Sequence, residues 1–335
     1  MVRGRDCRIQ PLSPDNYIYL APPVAAAACL ALLLVLVRNQ SLPRDFPNDR
    51  SLHSAPVSRS GGLAIMCALA LAGVLFFRGV GTWLGLAAML ALVSFADDWR
   101  KLSVRLRLMT HLLAALVLVY YTMPDLSLPQ AALIMLAVAW GTNLYNFMDG
   151  ADGLAGGMTL IGFLAYAIAA WHTDANLAWF AASVSAAAAV FLLFNFHPAR
   201  MFMGDVGSIP LGFLAAAVGV HGWHAALWPA WFPLLTFSPF IVDATVTLAQ
   251  RAARREPFWQ AHRDHYYQRL VRMGMGHRGT ALAEYALMVC VGVTALSLLR
   301  APAYAQQLMF AVWTAIYLAL AALINRKWAS HASGK

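Results

Sequence analysis

Residues 128–171 read LPQAALIMLAVAWGTNLYNFMDGADGLAGGMTLIGFLAYAIAAW. Two apolar runs, 128–145 and 154–171, enclose a turn that carries Asn143, Asn146, Asp149 and Asp152. Each run approaches the ~20 residues an α-helix needs to cross the hydrocarbon of a bilayer. Two spanning helices joined by a polar turn at one membrane face account for the pattern, which recurs along the chain. Candidate spans fall at 17–37, 61–77, 80–96, 108–122, 128–145, 154–171, 177–196, 209–222, 226–248, 281–299 and 303–324. The expected fold is an all-α polytopic membrane protein with about eleven transmembrane helices, a single domain over 1–335. Run 209–222 is short, and 226–248 is interrupted by Pro229, Pro233 and Pro239. Both are tolerated where neighbouring helices or a polar cavity satisfy the freed backbone groups.

Composition agrees. The 335 residues are 61% hydrophobic and 12% charged, with a mean hydropathy of +0.62. A soluble domain is about half apolar and about a quarter charged. Disorder, a coiled coil and an ordinary cytosolic enzyme are excluded. Cys7, Cys29, Cys67 and Cys290 are widely separated, with neither a disulfide framework nor zinc spacing. The basic start Met1–Arg8 precedes an apolar run, as in a signal peptide. No small-residue cleavage site closes that run and more spans follow, so 17–37 reads as a retained first helix.

Charge sets the expected orientation. The net charge is +9, and 19 of the 24 Lys and Arg lie in the connectors 38–60, 97–107, 146–153, 197–208, 249–280 and 325–335. The rest are Arg3, Arg5, Arg8, Arg78 and Arg300. The positive-inside rule places the first set in the cytoplasm, the N-terminus on the periplasmic side and the C-terminus inside. The sequon Asn39-Gln40-Ser41 then lies on the cytoplasmic side, away from glycosylation. No internal repeat and no large soluble domain is visible. Any chemistry belongs at the cytoplasmic membrane surface or in a cavity opening to it.

Acidic residues are scarce, so their positions carry information. Asp97-Asp98, Asp149 with Asp152, and Asp205 all fall at the cytoplasmic ends of spans. Ionisable groups near membrane depth are costly and usually functional. Asp97-Asp98 could be a solvated helix end beside Arg100 and Lys101. Two adjacent carboxylates repel, however, and a divalent cation or a bound proton relieves that repulsion. One of them could act as a general base. The turn at 143–157 offers two amides, two carboxylates and four glycines. Carboxylate and amide oxygens are ligands that magnesium prefers, and glycine permits close backbone approach to a ligand. A helix-capping turn explains one of these polar groups, not four.

Three further stretches carry polar chemistry. Met203-Gly204-Asp205-Val206-Gly207-Ser208 supplies backbone N–H groups at a helix start, and Asp205 faces a metal or caps the helix. His262-Arg263-Asp264-His265 lies in the most basic loop; two histidines with an arginine suit phosphate, and a lipid-headgroup patch is the plainer alternative. Arg59 before Gly61-Gly62 could cradle phosphate, or end a loop at a helix start. There is no P-loop and no dinucleotide-binding fingerprint, and basic charge spread over membrane loops does not suggest nucleic acid. Acidic, metal-suited groups and basic, phosphate-suited groups on one face suit a diphosphate-bearing soluble donor and a membrane-held phosphate acceptor.

The motifs DDxxxLS at 97–103, NxxNFMDGxDGLAGG at 143–157, GDxGS at 204–208 and HRxHxYQRL at 262–270, with SLHSAPVSRSGG at 51–62, resemble the polyprenyl-phosphate N-acetylhexosamine-1-phosphate transferases (glycosyltransferase family 4). The resemblance runs in order from about residue 50 to 280. It implies transfer of a sugar-1-phosphate from a UDP-N-acetyl sugar to undecaprenyl phosphate, with Mg²⁺ (or Mn²⁺) as cofactor and UMP as product, in the bacterial inner membrane. It assigns Asp97 and Asp98 to the lipid phosphate or its deprotonation, and Asp149, Asp152 and Asp205 to metal. Asn143, Asn146, Arg59, His262, Arg263 and His265 are assigned to substrate. Membrane lipids and a second copy of the chain complete the expected partners.

Where several members carry consecutive histidines, this chain has Asp264-His265-Tyr266-Tyr267. That form resembles the branch that starts O-antigen, lipopolysaccharide or other surface-glycan chains. The alternatives are a phospho-MurNAc-pentapeptide transferase and, from another class, a proton-coupled secondary transporter. The transporter is disfavoured because its key acids would sit near the bilayer midplane.

Overall fold

The computed structural model describes residues 17–39, 44–45, 56–257 and 262–333. The start Met1–Arg8, the sequon positions Gln40 and Ser41, and Ser51–Ala55 of the first loop motif lie outside the described residues. The described residues are mostly helical: α1 (Ala21–Leu36), α2 (Gly61–Phe76), α3 (Gly81–Arg100), α4 (Val104–Thr122), α5 (Leu128–Phe147), α6 (Leu154–Ala170), α7 (Ala175–Asn195), α8 (Asp205–His224), α9 (Trp231–Thr236), α10 (Ser238–Ala253), α11 (Tyr266–Leu270), α12 (Gly276–Ser297) and α13 (Ala303–Ser333). Two short antiparallel strands, β1 (Arg44–Asp45) and β2 (Val57–Ser58), precede α2.

Every expected apolar run falls on helix, but several boundaries move. Among the described residues, six helical stretches are long and apolar enough to cross a membrane: Ile18–Leu36, Val104–Thr122, Ala175–Asn195, Asp205–His224, Tyr266–Ser297 and Ala303–His331. Run 226–248 is not one helix. It breaks at Phe237 into α9 and α10, with Pro239 in the first turn of α10. Proline lacks the N–H that a continuous helix would need there. The expected loop 97–107 shrinks to three residues, because α3 continues to Arg100 and α4 starts at Val104, capped by Ser103 accepting from Leu106 N–H at 3.2 Å. The expected loop 197–208 ends at Asp205, which opens α8. The expected loop 249–280 begins as helix and resumes helix at Tyr266.

Packing places α8 at the centre. Its most apolar window is 78% buried, against 11% for α13, which lies at the periphery. Small residues allow the close approach. Gly62 of α2 and Gly207 of α8 meet backbone to backbone, and a Cβ on either would collide with the other. Without a hydrophobic driving force between helices in lipid, such small-residue contacts carry helix association. α1 buries Ala21, Ala25, Cys29 and Leu33, one stripe at i, i+4 spacing, against α7 and α2. Large apolar side chains point outward instead, including Val74 and Leu128, both more than 80% exposed. In water such a surface would aggregate; facing acyl chains it is at rest. The chain is an all-α polytopic membrane protein.

Candidate active site

Asp97 and Asp98 sit in the last turn of α3, which Lys101 closes in a left-handed conformation with its N–H on Asp97 O at 2.8 Å. Their surroundings differ. Asp97 Oδ1 accepts from Leu102 N–H at 2.6 Å, and Oδ2 from Arg107 Nη1 at 3.0 Å. Among the described residues Asp98 has no hydrogen-bond donor or ion pair of its own. Burial and the charge of Asp205 push the Asp98 carboxyl up to about 6, and Arg59 opposes the shift. Arg107, in the first turn of α4, also reaches Asp205 Oδ2 at 3.7 Å.

The 201–208 segment is fixed against the start of α2. Phe202 N–H donates to Ser58 O, Gly61 N–H to Phe202 O and Gly62 N–H to Met203 O, at 2.8–3.0 Å. This zipper sets Arg59 beside Asp205, with Arg59 held by Asp45 at 2.8 Å. The start of α8 also docks on the end of α5. Ser208 Oγ donates to Asn146 Oδ1 at 2.6 Å, and Asp149 and Asp205 feel each other's charge. Burial, reinforced by Asp205, raises the Asp149 carboxyl well above the usual carboxylate range. Asp98, Asp149 and Asp205 therefore form one electrostatic cluster, countered by Arg59 and Arg107. The carboxylates outnumber those cations, their oxygens are hard, and Asp98 lacks a protein donor. This donor set fits a divalent cation such as Mg²⁺.

Two expected residues lie apart from the cluster. Asn143 turns its amide onto Ala139 O at 2.8 Å. The Asp152 carboxylate pairs instead with His197 (Nδ1 to Oδ2, 2.6 Å) and the Ala199 N–H (3.2 Å), and the Asp152 N–H donates to His277 Nδ1 at 3.1 Å. Ligand atoms of Asp152, His197 and His277 lie within 4.8 Å of one another, so a metal at Asp152 would have those histidines as its partners. Their rings, however, stack almost parallel, 5.5 Å apart, which leaves the two ring nitrogens poorly convergent on one ion.

The histidine loop is seated by a residue that sequence reasoning missed. Asp243 of α10 is buried and collects four donors: Thr247 Oγ1 at 3.1 Å, His265 Nδ1 at 3.2 Å, Tyr266 N–H at 2.9 Å and Tyr267 N–H at 3.0 Å. The His265 ring lies between those of Phe147 and Tyr267, near parallel to both, and 4.9 Å from that of His262. Burial, with His265 and Arg251 nearby, lowers His262 to about 4, so it is neutral at physiological pH. Tyr267 OH donates to Phe147 O at 3.1 Å over Gly150, where a Cβ would strike that hydroxyl. The loop thus docks on the turn that carries Asp149. Arg263 is half-buried, and its carbonyl accepts from Arg272 at 3.3 Å. Asp243 had a readable signal: it is an acid inside an apolar run. Arg107, His197 and His277 had none, because each takes its role from a partner distant in sequence.

The profile described as Glycosyl transferase family 4 matches residues 80–222, which hold Asp97, Asp98, Asp149 and Asp205. The chain is 28% identical over 305 residues to the Bacillus subtilis protein named probable undecaprenyl-phosphate N-acetylglucosaminyl 1-phosphate transferase, covering 82% of this chain and 85% of that one. The chain is therefore similar to the polyprenyl-phosphate hexosamine-1-phosphate transferases. It is also similar to proteins named phospho-N-acetylmuramoyl-pentapeptide-transferase. The Picosynechococcus one is 29% identical over 320 residues, 84% of each chain. The Geobacillus thermodenitrificans one is 43% identical over 97 residues, 29% of this chain and 30% of its own.

Proposed function

We propose that this protein moves an N-acetylated sugar-1-phosphate from a UDP-sugar to undecaprenyl phosphate in the bacterial inner membrane, releasing UMP. The reaction would start a surface glycan such as O-antigen. The observation that carries the reading is that five separate sequence motifs meet at one place: Asp98, Asp149 and Asp205 with Arg59, joined by Arg107, and the histidine loop docked on the Asp149 turn.

Asp97 is engaged by Leu102 and Arg107, so Asp98 is the carboxylate free to take the proton of the acceptor phosphate. Proton transfer to a positioned carboxylate contributes typically ~10²–10⁴-fold. Asp149 and Asp205 would hold Mg²⁺, which neutralises diphosphate charge when bound. Arg59 and Arg107 offset the remaining charge. His262, Arg263 and His265 face the diphosphate of the donor, where charge develops on the leaving UMP. The basic connectors support a cytoplasmic setting for this face.

The peptidoglycan-precursor reading draws on the pentapeptide-transferase relatives and is weakened by the HRDH sequence at 262–265. One experiment separates the two. Purified protein in detergent is given undecaprenyl phosphate, Mg²⁺ and a panel of UDP-N-acetyl sugars that includes UDP-MurNAc-pentapeptide, and UMP release is followed. Release that needs both lipid and Mg²⁺, with a simple acetamido sugar, is the expected result. Release only with the pentapeptide donor moves the assignment, and no release with any donor from folded protein sinks it. Asp149→Asn should reduce transfer by at least ~100-fold while the protein still inserts and extracts normally; full activity in that variant removes Asp149 from the metal site.

A further inference from the structure

Behind the histidine loop lies a second cavity, of about 490 Å³, lined by Leu270, Met273, Met275, Lys327, Ser330 and His331. That is ample for a headgroup-sized ligand. Its two walls differ in chemistry. Leu270 ends α11, and Met273 and Met275 belong to the π-helical turn Val271–Met275; together they make an apolar wall. Lys327, Ser330 and His331 project from one face of α13 at i, i+3, i+4 spacing. No carboxylate lines the cavity. The Nε2 atom of His331 is buried and has no hydrogen-bond partner. A buried polar atom left unpaired is costly, so this nitrogen calls for a ligand. The His331 ring stacks on Trp328, and the Arg272 guanidinium lies 4.6 Å from the centre of the Trp328 ring. Further positive charge therefore stands beside the opening.

The position along α13 is as informative. The apolar run 303–324 ends just before Arg326-Lys327-Trp328. Tryptophan and cations at that level mark the boundary between hydrocarbon and water, and clustered cations there attract anionic lipid. The lining shares no residue with the carboxylate cluster, so the cavity is separate from the site where the acceptor must meet Asp98. An apolar wall beside the cations favours a phosphate that carries acyl chains over a free one.

We propose that this cavity holds the headgroup of an anionic phospholipid. Lys327 and His331 bind its phosphodiester, and Leu270, Met273 and Met275 cover the first methylenes of its chains. The consequence reaches the active site. Leu270 and His265 flank the same short helix, and Arg269 of that helix is tied to Asn325 of α13 at 2.7 Å. A bound headgroup braces the histidine loop from behind. This last step rests on the transferase reading; the binding itself does not.

The test is native mass spectrometry of the full chain in detergent. The probes are phosphatidylglycerol, phosphatidylcholine, undecaprenyl phosphate and inorganic phosphate, with wild type, Lys327→Arg and the pair Lys327→Gln/His331→Gln. Wild type and Lys327→Arg should carry phosphatidylglycerol adducts with ~5-fold preference over phosphatidylcholine, the size expected for one cationic contact at the membrane surface. The double variant should lose that preference, with its lipid-free melting temperature unchanged. Equal preference in the double variant overturns the site. Displacement by inorganic phosphate alone makes it a free-anion site, and displacement by undecaprenyl phosphate makes it part of the acceptor path; either result overturns the proposal. Phosphatidylglycerol should also raise UMP release several-fold in wild type and not in the double variant. If neither protein transfers sugar, the transferase reading fails and the adduct comparison still decides the cavity.

Discussion

Asp97 and Asp98 are neighbours in sequence with opposite surroundings. Asp97 is held by a backbone N–H and by Arg107, while Asp98 is half-buried with no donor of its own and titrates at about 6. The ordinary carboxyl value is 3.8. Between the two values folded protein keeps a proton that the unfolded chain has lost, so stability falls as pH rises through this window. Asp98→Asn should therefore raise the melting temperature at pH 7.5 in the presence of chelator, and change it little at pH 4. The same variant should lose at least ~100-fold in kcat, because the group that takes the proton is gone. A melting curve unchanged at pH 7.5 would remove the buried-charge account; an active variant would remove Asp98 as base. Added Mg²⁺ should narrow the melting difference in wild type by supplying the missing counter-charge, a second readout of the metal assignment.

At the scale of elements, the Asp243 contact between α10 and α11 is the clearest case of an acid serving a distant backbone. Its carboxylate caps the exposed N–H groups of Tyr266 and Tyr267 from another helix and fixes the His265 ring. The loop has other anchors: Arg251 pairs with Asp264, and Tyr267 bonds Phe147. Asp243→Ala should leave the fold assembled, lower stability by about 1–3 kcal/mol through the unpaired donors, and cut transfer far more than Tyr267→Phe does. Thermal melting and initial rates on the two variants check this; equal losses of rate would mean that the loop is held as a whole and not through Asp243. Gly150→Ala belongs to the same contact. Its new methyl must displace the Tyr267 hydroxyl, so transfer should fall even though the residue has no chemistry of its own.

At the scale of the whole molecule, the helices turn large apolar side chains outward, and 19 of the 24 Lys and Arg lie in one set of alternating connectors. Charge patterning predicts which end faces the cytoplasm. Single cysteines at Arg254 and Arg300, in a chain otherwise free of cysteine, test it. An impermeant maleimide should label position 300 in cells with a permeable outer envelope, and position 254 only after the inner membrane is opened. The reverse pattern would invert the orientation and place the carboxylate cluster outside, where UDP-sugars are absent.

The membrane fold was legible from the sequence because apolar runs near the length of a bilayer have few other stable homes. The acids at 97–98, 149 and 205 were legible because charge near such runs is expensive and so stands out. Only the tertiary structure divides the work among them. It gives Asp97 to Arg107, leaves Asp98 free, brings Asp149 and Asp205 together where Ser208 docks on Asn146, and draws Asp152 away to His197 and His277. It also turns Asp243 from one acid in an interrupted span into the seat of the histidine loop. These outcomes depend on which helix packs beside which, through contacts such as Gly62 on Gly207. Local periodicity sets the face each residue occupies along its own helix, and only packing supplies the partner across it.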